Sequence, residues 1–174
     1  MRAIDTATGD LSWLAGAWTL DPEKTTVSFR TKAMWVLPVR GTARALSGDA
    51  NIGPDAAVGG RLVIDATSFD TNNKKRDDHL RSEDFLEASQ YPTIVFTAER
   101  GRPSGVGGVE VTGTLTVRDR TQPLTLVADV SGSGNSATVS TEVEIDRSLW
   151  GVSWTKLGAG LKNRVAIRAH FDRA

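Results

Sequence analysis

The 174-residue sequence contains no cysteine, which excludes disulfides, thiolate metal sites and cysteine nucleophiles. Histidine is scarce, since His79 and His170 are the only two. Charge of one sign is not in excess, because 21 basic residues balance 21 acidic ones, and no basic face for nucleic acid is indicated. No run approaches the roughly 18 uninterrupted apolar residues of a membrane helix. We therefore expect a soluble chain with no metal, no nucleic-acid partner and no integral membrane segment.

The N-terminal segment also lacks the apolar core of a secretory signal, because Asp5 and Asp10 interrupt it. We interpret residues 1–17 as a lead-in segment that can form one helical turn. Residues 18–174 then form one domain, which is long enough to bury a substantial core. We expect a cytoplasmic protein, unless the sequence is a mature form whose signal has been removed.

Period-two alternation of apolar and polar residues is the main pattern that the sequence does contain. In the first such segment Val27 and Phe29 alternate with Ser28 and Arg30, which is typical of a half-buried strand. The same alternation recurs, between short turns, around residues 40–49, 61–67, 93–99, 109–117, 124–130, 139–145 and 165–172. Short turns make sequence neighbours pair antiparallel. Eight antiparallel strands can form two stacked sheets or a closed barrel, and strands of about nine to twelve residues favour the eight-stranded barrel.

The longest connection between these strands is also the most charged part of the chain. Residues 75–88 carry Leu80, Phe85 and Leu86 among charged side chains, which predicts a short helical crossover. Within it, His79 beside Asp77 would supply a general base with an orienting carboxylate. No serine nearby has the context of a nucleophile, so a catalytic triad is disfavoured.

A structural clamp is the interpretation of this crossover that we favour. Arginines can hold a long connection through charge-assisted hydrogen bonds to carboxylates and strand carbonyls. The predicted clamp residues are Arg76, Asp77, His79 and Arg81.

The predicted barrel interior combines small residues with aromatic ones. Ala45, Ala66 and Ala128 lie on the inward parity, which indicates unfilled volume, and a barrel of eight strands can hold one small ligand. Trp35 and the Trp150/Trp154 pair fall near strand ends, where a barrel has its mouths. Aromatic side chains over an apolar interior suit a flat or chain-like apolar ligand.

Several motifs, in a fixed order, carry a resemblance to a known family. They are Trp18-Thr19-Leu20-Asp21-Pro22, Ser68-Phe69-Asp70-Thr71-Asn72, Arg76-Asp77-Asp78-His79-Leu80-Arg81-Ser82, Tyr91-Pro92-Thr93-Ile94-Val95-Phe96 and Gly113-Thr114-Leu115-Thr116-Val117. In this combination the sequence resembles the YceI-like family from about Trp18 to Asp172. The resemblance implies a lipocalin-like antiparallel β-barrel whose lumen holds a polyisoprenoid chain, with no catalytic activity established for the family as a class.

Three features depart from the family pattern. Gly41 is followed by Thr42 and Ala43 where an aromatic residue often stands nearby, and Asp119 replaces a glycine in a turn. Aspartate tolerates the left-handed backbone, so we expect that turn to survive. Many relatives are exported, whereas this sequence shows no signal.

The prediction is therefore a non-enzymatic protein that binds, sequesters or transports an amphiphilic isoprenoid lipid of polyprenyl or quinone type, as a monomer or homodimer. No cofactor is predicted apart from that bound lipid. The alternatives are a filled barrel that serves as a partner-binding or stress-response module and, less favoured, an enzyme that uses His79 with Asp77 or Asp78. The predicted ligand-binding residues, inside the barrel or at its mouth, are Phe29, Trp35, Leu62, Ile64, Phe85, Phe96, Leu115, Val117, Leu126, Val143, Ile145, Trp150, Trp154, Ile167 and Phe171. Arg40 and Arg147 are candidates to meet a polar head group.

Overall fold

Each alternating segment of the sequence is a strand in the structure, a computed structural model that describes residues 11–54 and 57–174. The strands are β1 (Gly16–Leu20), β2 (Thr26–Ala33), β3 (Leu37–Ile52), β4 (Val58–Asp70), β5 (Thr93–Pro103), β6 (Gly108–Val117), β7 (Arg120–Gly132), β8 (Ser136–Asp146) and β9 (Lys162–Arg173). One α-helix, α1 (Lys74–Leu80), lies between β4 and β5. No helix in these two ranges is long and apolar enough to cross a membrane.

The strands from β2 to β9 form a closed antiparallel barrel. Each pairs with the next along the chain, and β2 pairs with β9 to complete the circle. Val27 of β2 shows the closure directly, because it lies opposite Ala43 of β3 on one side and Ile167 of β9 on the other. The predicted eight-stranded barrel is confirmed.

The short strand β1 was not predicted. It lies in line with β2, since Trp18 pairs with both Ala50 of β3 and Arg173 of β9. A 3-10 turn at Pro22–Lys24 interrupts the line, and the Asp21 carboxylate accepts a hydrogen bond from the Glu23 amide at 3.1 Å. Proline at the start of the turn and an aspartate cap are the expected signals for such an interruption. β1 and β2 therefore share one of the eight positions in the barrel.

The predicted helical crossover is confirmed, and its helix proper is only one part of it. α1 begins at the cap Asn73, whose side chain accepts from the Arg76 amide at 3.0 Å. It ends after Leu80. There the Ser82 hydroxyl donates to the His79 carbonyl at 2.6 Å, and such a side-chain bond competes with the backbone bonds that would continue the helix. Turns fill the rest of the crossover as far as β5.

Strand direction gives the barrel two different ends. At what we call the helical end lie α1, the β2–β3 hairpin, the β6–β7 turn and residues 147–161 between β8 and β9. At the other, the open end, lie the beginning of β1 and the β3–β4, β5–β6 and β7–β8 connections. In the β6–β7 turn the residue with left-handed backbone is Arg118 (φ 57°), so Asp119 does not supply that conformation as predicted.

The half of the barrel next to the helical end is packed with side chains. Its buried cluster consists of Val27, Ala43, Ile64, Ala66, Ala88, Ile94, Leu115 and Trp150. Trp150 enters this cluster from the 147–161 segment and is 3% exposed, and its indole Nε1 donates to the Leu115 carbonyl at 2.7 Å. A buried indole needs such a partner, so Trp150 is fixed as the plug of this half.

Candidate functional site

A cavity of about 640 Å³ occupies the half of the barrel next to the open end. Its wall is formed by inward residues of several strands, among them Ala98 on β5, Leu126 and Ala128 on β7, and Val139 on β8. Alternation directs these apolar side chains inward, and the small alanines leave space between opposite walls. The volume lies within the range of sites that hold one small molecule, about 300–1,000 Å³.

Three side chains form the floor of the cavity: Leu62, Phe96 and Ile167. Each lines the cavity on one side and packs against the buried cluster of the helical half on the other. The cavity therefore stops at their level, part-way along the barrel axis. A ligand that enters from the open end meets a packed core there.

The segment before β1 forms part of the cavity rim. Leu11 and Leu14 line the cavity, and Trp18 donates from its indole to the Leu14 carbonyl at 2.8 Å. The Arg173 guanidinium lies 4.1 Å from the centre of the Trp18 ring and donates to the Ala15 carbonyl at 2.6 Å. These bonds hold residues 11–15 against the last strand.

Five of the predicted ligand-binding residues line the cavity: Leu62, Phe96, Leu126, Ile167 and Phe171. Five others belong to the packed cluster or contact it, namely Ile64, Leu115, Val117, Ile145 and Trp150. Val143 lies on β8 opposite Val165, which also contacts that cluster. Phe29 lies away from the cavity, with its ring centre 5.3 Å from that of Phe69. Direct contact with a ligand stays a prediction for all of them.

The other predicted mouth residues lie at the helical end, which is closed. The Trp154 ring centre is 4.5 Å from that of His79 and 5.3 Å from that of Phe85. Trp35 stands on the β2–β3 hairpin, exposed to solvent. The structure thus places these aromatics at the end away from the cavity.

Arg147 also belongs to the closed end. Its guanidinium donates to the carbonyls of Val152 and Trp154, both at 2.7 Å, and of Gly160 at 3.0 Å. Burial lowers the pKa of this guanidinium, which nevertheless stays charged because an arginine pKa starts so high. Since these donors already bond to the backbone, Arg147 fixes the segment that carries Trp150.

The barrel matches one known protein family. The model of the YceI-like domain matches residues 18–172, which is nearly the whole chain. The chain belongs to the YceI-like domain family. The family resemblance predicted from the sequence is confirmed.

Two curated relatives show how far sequence similarity to this YceI-like domain extends. A UPF0312 protein of Vibrio parahaemolyticus is 32% identical over 111 residues, which cover 63% of this chain and 59% of the relative. Protein YceI of Escherichia coli is 42% identical over 74 residues, which cover 42% of this chain and 38% of the relative. The matched stretches thus span less than two thirds of the length of these relatives.

Solved structures show the same fold over most of the chain. BcnA of Burkholderia cenocepacia superposes with a TM-score of 0.79 at 24% identity, covering 87% of this chain and 98% of BcnA. A polyisoprenoid binding domain from Saccharophagus degradans gives a TM-score of 0.69 at 17% identity, covering 90% of this chain and 98% of that domain. At these identities the likeness shows the fold alone.

Within the YceI-like domain, two of the predicted clamp residues, Arg76 and Asp77, form hydrogen bonds with Thr71, the residue that follows β4. Asp77, 8% exposed, accepts hydrogen bonds from the Thr71 amide at 2.8 Å and the Thr71 hydroxyl at 2.5 Å. Arg76 donates to the same hydroxyl at 2.8 Å and to the Thr71 carbonyl at 3.1 Å. All the polar groups of Thr71 are therefore satisfied by α1.

His79 and Arg81 make contacts within and beside the crossover. The His79 imidazole Nε2 lies 2.8 Å from the Asp84 carboxylate, and Arg81 bonds to Asp78 at 2.7 Å. Hydrogen bonds from Lys74 and then Arg81 hold the pKa of the Asp78 carboxyl below its usual value. Within residues 11–54 and 57–174, no three His, Asp or Glu side chains are grouped to hold a metal ion.

Asp77→Ala is expected to destabilise the fold by about 1–3 kcal/mol, because the buried Thr71 amide would lose its acceptor. Urea unfolding of the purified protein measures the change. The matched control is Asp78→Ala, the next residue, whose carboxylate is exposed and pairs with Lys74 and Arg81. We expect its midpoint to stay close to that of the wild type. Equal losses in both variants would contradict a specific role for Asp77.

Proposed function

We propose that this YceI-like domain binds one amphiphilic isoprenoid lipid in its cavity, for sequestration or transport. The observation that supports it most is the cavity itself, about 640 Å³ of largely apolar space with a floor and one open end. A branched hydrocarbon chain fits among alanine, valine and leucine side chains. The polyisoprenoid binding domain of Saccharophagus degradans has the same fold, which adds support.

The expected driving force is burial of the chain of the ligand. At about 25 cal/mol per Å², removal of a few hundred Å² of hydrocarbon from water contributes several kcal/mol, from which ordering costs are subtracted. The charged residues of the lining, Asp49, Arg61 and Arg102, lie on the parts of their strands that are next to the open end. A polar head group would therefore lie at that end, with the chain directed toward Phe96.

The lining of the cavity also favours binding without catalysis. Among the lining residues of the described chain there is no histidine, and the titratable ones are Asp49, Arg61 and Arg102. Arg102 already bonds to Glu110 at 2.7 Å. Ser12 and Thr141 bring hydroxyl groups to the lining, but no histidine accompanies them among the described lining residues, and His79 lies at the opposite end of the barrel.

A test starts from the purified protein, extracted with organic solvent and analysed by mass spectrometry for prenyl lipids. The delipidated protein is then titrated calorimetrically with farnesol and with a short-chain quinone. We expect one molecule bound per chain and a negative heat-capacity change, which marks apolar burial. Protein that is always recovered without prenyl lipid, and that takes up neither probe, would overturn the proposal.

A further inference from the structure

The helical end carries a set of exposed apolar side chains, which we call the apolar tip. It consists of Met34, Trp35, Val36 and Leu37 of the β2–β3 hairpin with Leu157 of the neighbouring turn, and each is 49–79% exposed. Backbone bonds hold the two parts together, from the Met34 amide to the Leu157 carbonyl at 2.9 Å and from the Trp35 amide to the Gly158 carbonyl at 3.1 Å. Exposed apolar patches of this kind mark interaction surfaces.

The hairpin turn of the apolar tip is built from unusual residues. Met34 and Trp35 both have positive φ, 50° and 67°. Turns with this backbone favour asparagine and glycine, and bulky residues there cost stability. One edge of the Trp35 ring lies against Gly158, yet most of both side chains is exposed, so local packing alone does not account for residues of this size. Their side chains project into solvent, where a partner can meet them.

The two chain segments that carry the tip have charged residues of one sign only. Residues 30–40 and 151–164, which form this part of the helical end, contain six lysines and arginines and no aspartate or glutamate, although the whole chain is neutral. Arg30 and Arg164 pair with Glu142 on β8, at 3.6 Å and 3.0 Å. In the part of the chain that the structure describes, Lys32 and Lys156 form no ion pair, and both are exposed.

We propose that the apolar tip docks the domain onto a bilayer that contains anionic lipids. The exposed side chains of the tip can insert into a deformable interface, and tryptophan prefers the level of the head groups in a membrane. Lysines and arginines beside it attract anionic head groups, at about 1 kcal/mol for each cation near the surface. The two features belong together, because apolar insertion brings Lys32 and Lys156 to the charged surface.

Docking by the tip is separate from binding in the cavity. The tip lies at the helical end and the cavity opens at the other, so a docked domain directs its cavity opening away from the bilayer. Vesicle binding is therefore expected to be the same for the protein with an empty cavity and for one whose cavity is filled. This separates a failure of docking from a failure of the proposed lipid binding.

The test is sedimentation with phosphatidylcholine vesicles, with and without phosphatidylglycerol. Val36→Asp in the tip is compared with Val106→Asp in the β5–β6 connection at the open end. Both valines are exposed, 79% and 69%, so neither change is expected to unfold the barrel. We expect the wild type to bind the anionic vesicles, Val36→Asp to bind at least about tenfold more weakly, and Val106→Asp to bind like the wild type.

Four results would overturn the proposal. They are no binding of the wild type to anionic vesicles, equal binding to neutral ones, equal losses in the two variants, and binding that is insensitive to added salt. If the partner of the tip is a protein and not a membrane, we expect the first result, no binding of the wild type to anionic vesicles. Thermal unfolding of both variants serves as the check that each is folded.

Discussion

Ala98→Trp is expected to weaken the binding of prenyl lipids by at least about tenfold, a loss of 1.4 kcal/mol or more. Ala98 lies on β5 opposite Gly113 of β6 and lines the cavity. An indole at this position would take the space that the chain of the ligand needs. The side chain enters an existing cavity, so the barrel is expected to fold. Titration of the delipidated variant with farnesol measures the affinity.

The matched control for this variant is Val127→Trp. Val127 is exposed on the outside of β7, between the cavity residues Leu126 and Ala128. It places the same indole on the outer wall, so wild-type affinity is expected. If Ala98→Trp bound farnesol as well as the wild type does, the ligand site would have to lie elsewhere.

Trp150→Ala is expected to lower the free energy of unfolding by about 3–5 kcal/mol, the range for a large aromatic removed from a core. The indole fills the helical half of the barrel and donates to the Leu115 carbonyl, so its loss leaves both a void and an unpaired acceptor. Urea unfolding of the variant measures the difference. Trp150→Phe keeps most of the volume and is expected to lie between the wild type and the alanine variant.

Leu149→Ala is the control, because Leu149 is the preceding residue and is exposed. We expect a change within about 0.5 kcal/mol. Removal of Trp150 also makes space behind the floor residues Phe96 and Ile167. The fraction that remains folded is therefore expected to take up longer prenyl chains relative to farnesol than the wild type does. A Trp150→Ala protein as stable as the wild type would contradict the assignment of Trp150 as the plug.

The barrel was predictable because alternation fixes which side chains face inward. Leu62, Phe96 and Ile167 have the inward parity in the sequence, and all three face the interior. Strand β1 was missed because Gly16–Leu20 is short and its partners, Ala50 and Arg173, are distant in sequence. Pairing over such distances leaves no local signal.

The position of the cavity along the barrel axis could not be predicted. Alternation distinguishes inside from outside, but the filled level is set by Trp150 and Ala88, which come from connections and not from strands. For the same reason Trp35 and Trp154 were assigned to a mouth at the end that is closed. The rim bond from Arg173 to Ala15 joins two segments that no sequence pattern relates. The cytoplasmic location and the absence of a cofactor stay predictions.

The pairing of β2 with β9 also governs how the barrel folds. Every other neighbouring pair of the circle joins consecutive strands, whereas Val27 must find Ile167 across nearly the whole domain. Closing so long a loop lowers the entropy of the chain before any stabilising contact has formed. Barrels with such long-range pairings fold on a scale of milliseconds to seconds. Until β9 is in place, β2 and β8 are open edges that can pair with another chain. During synthesis, these two edges therefore stay open to aggregation until β9, the last barrel strand, has been made and has paired with both.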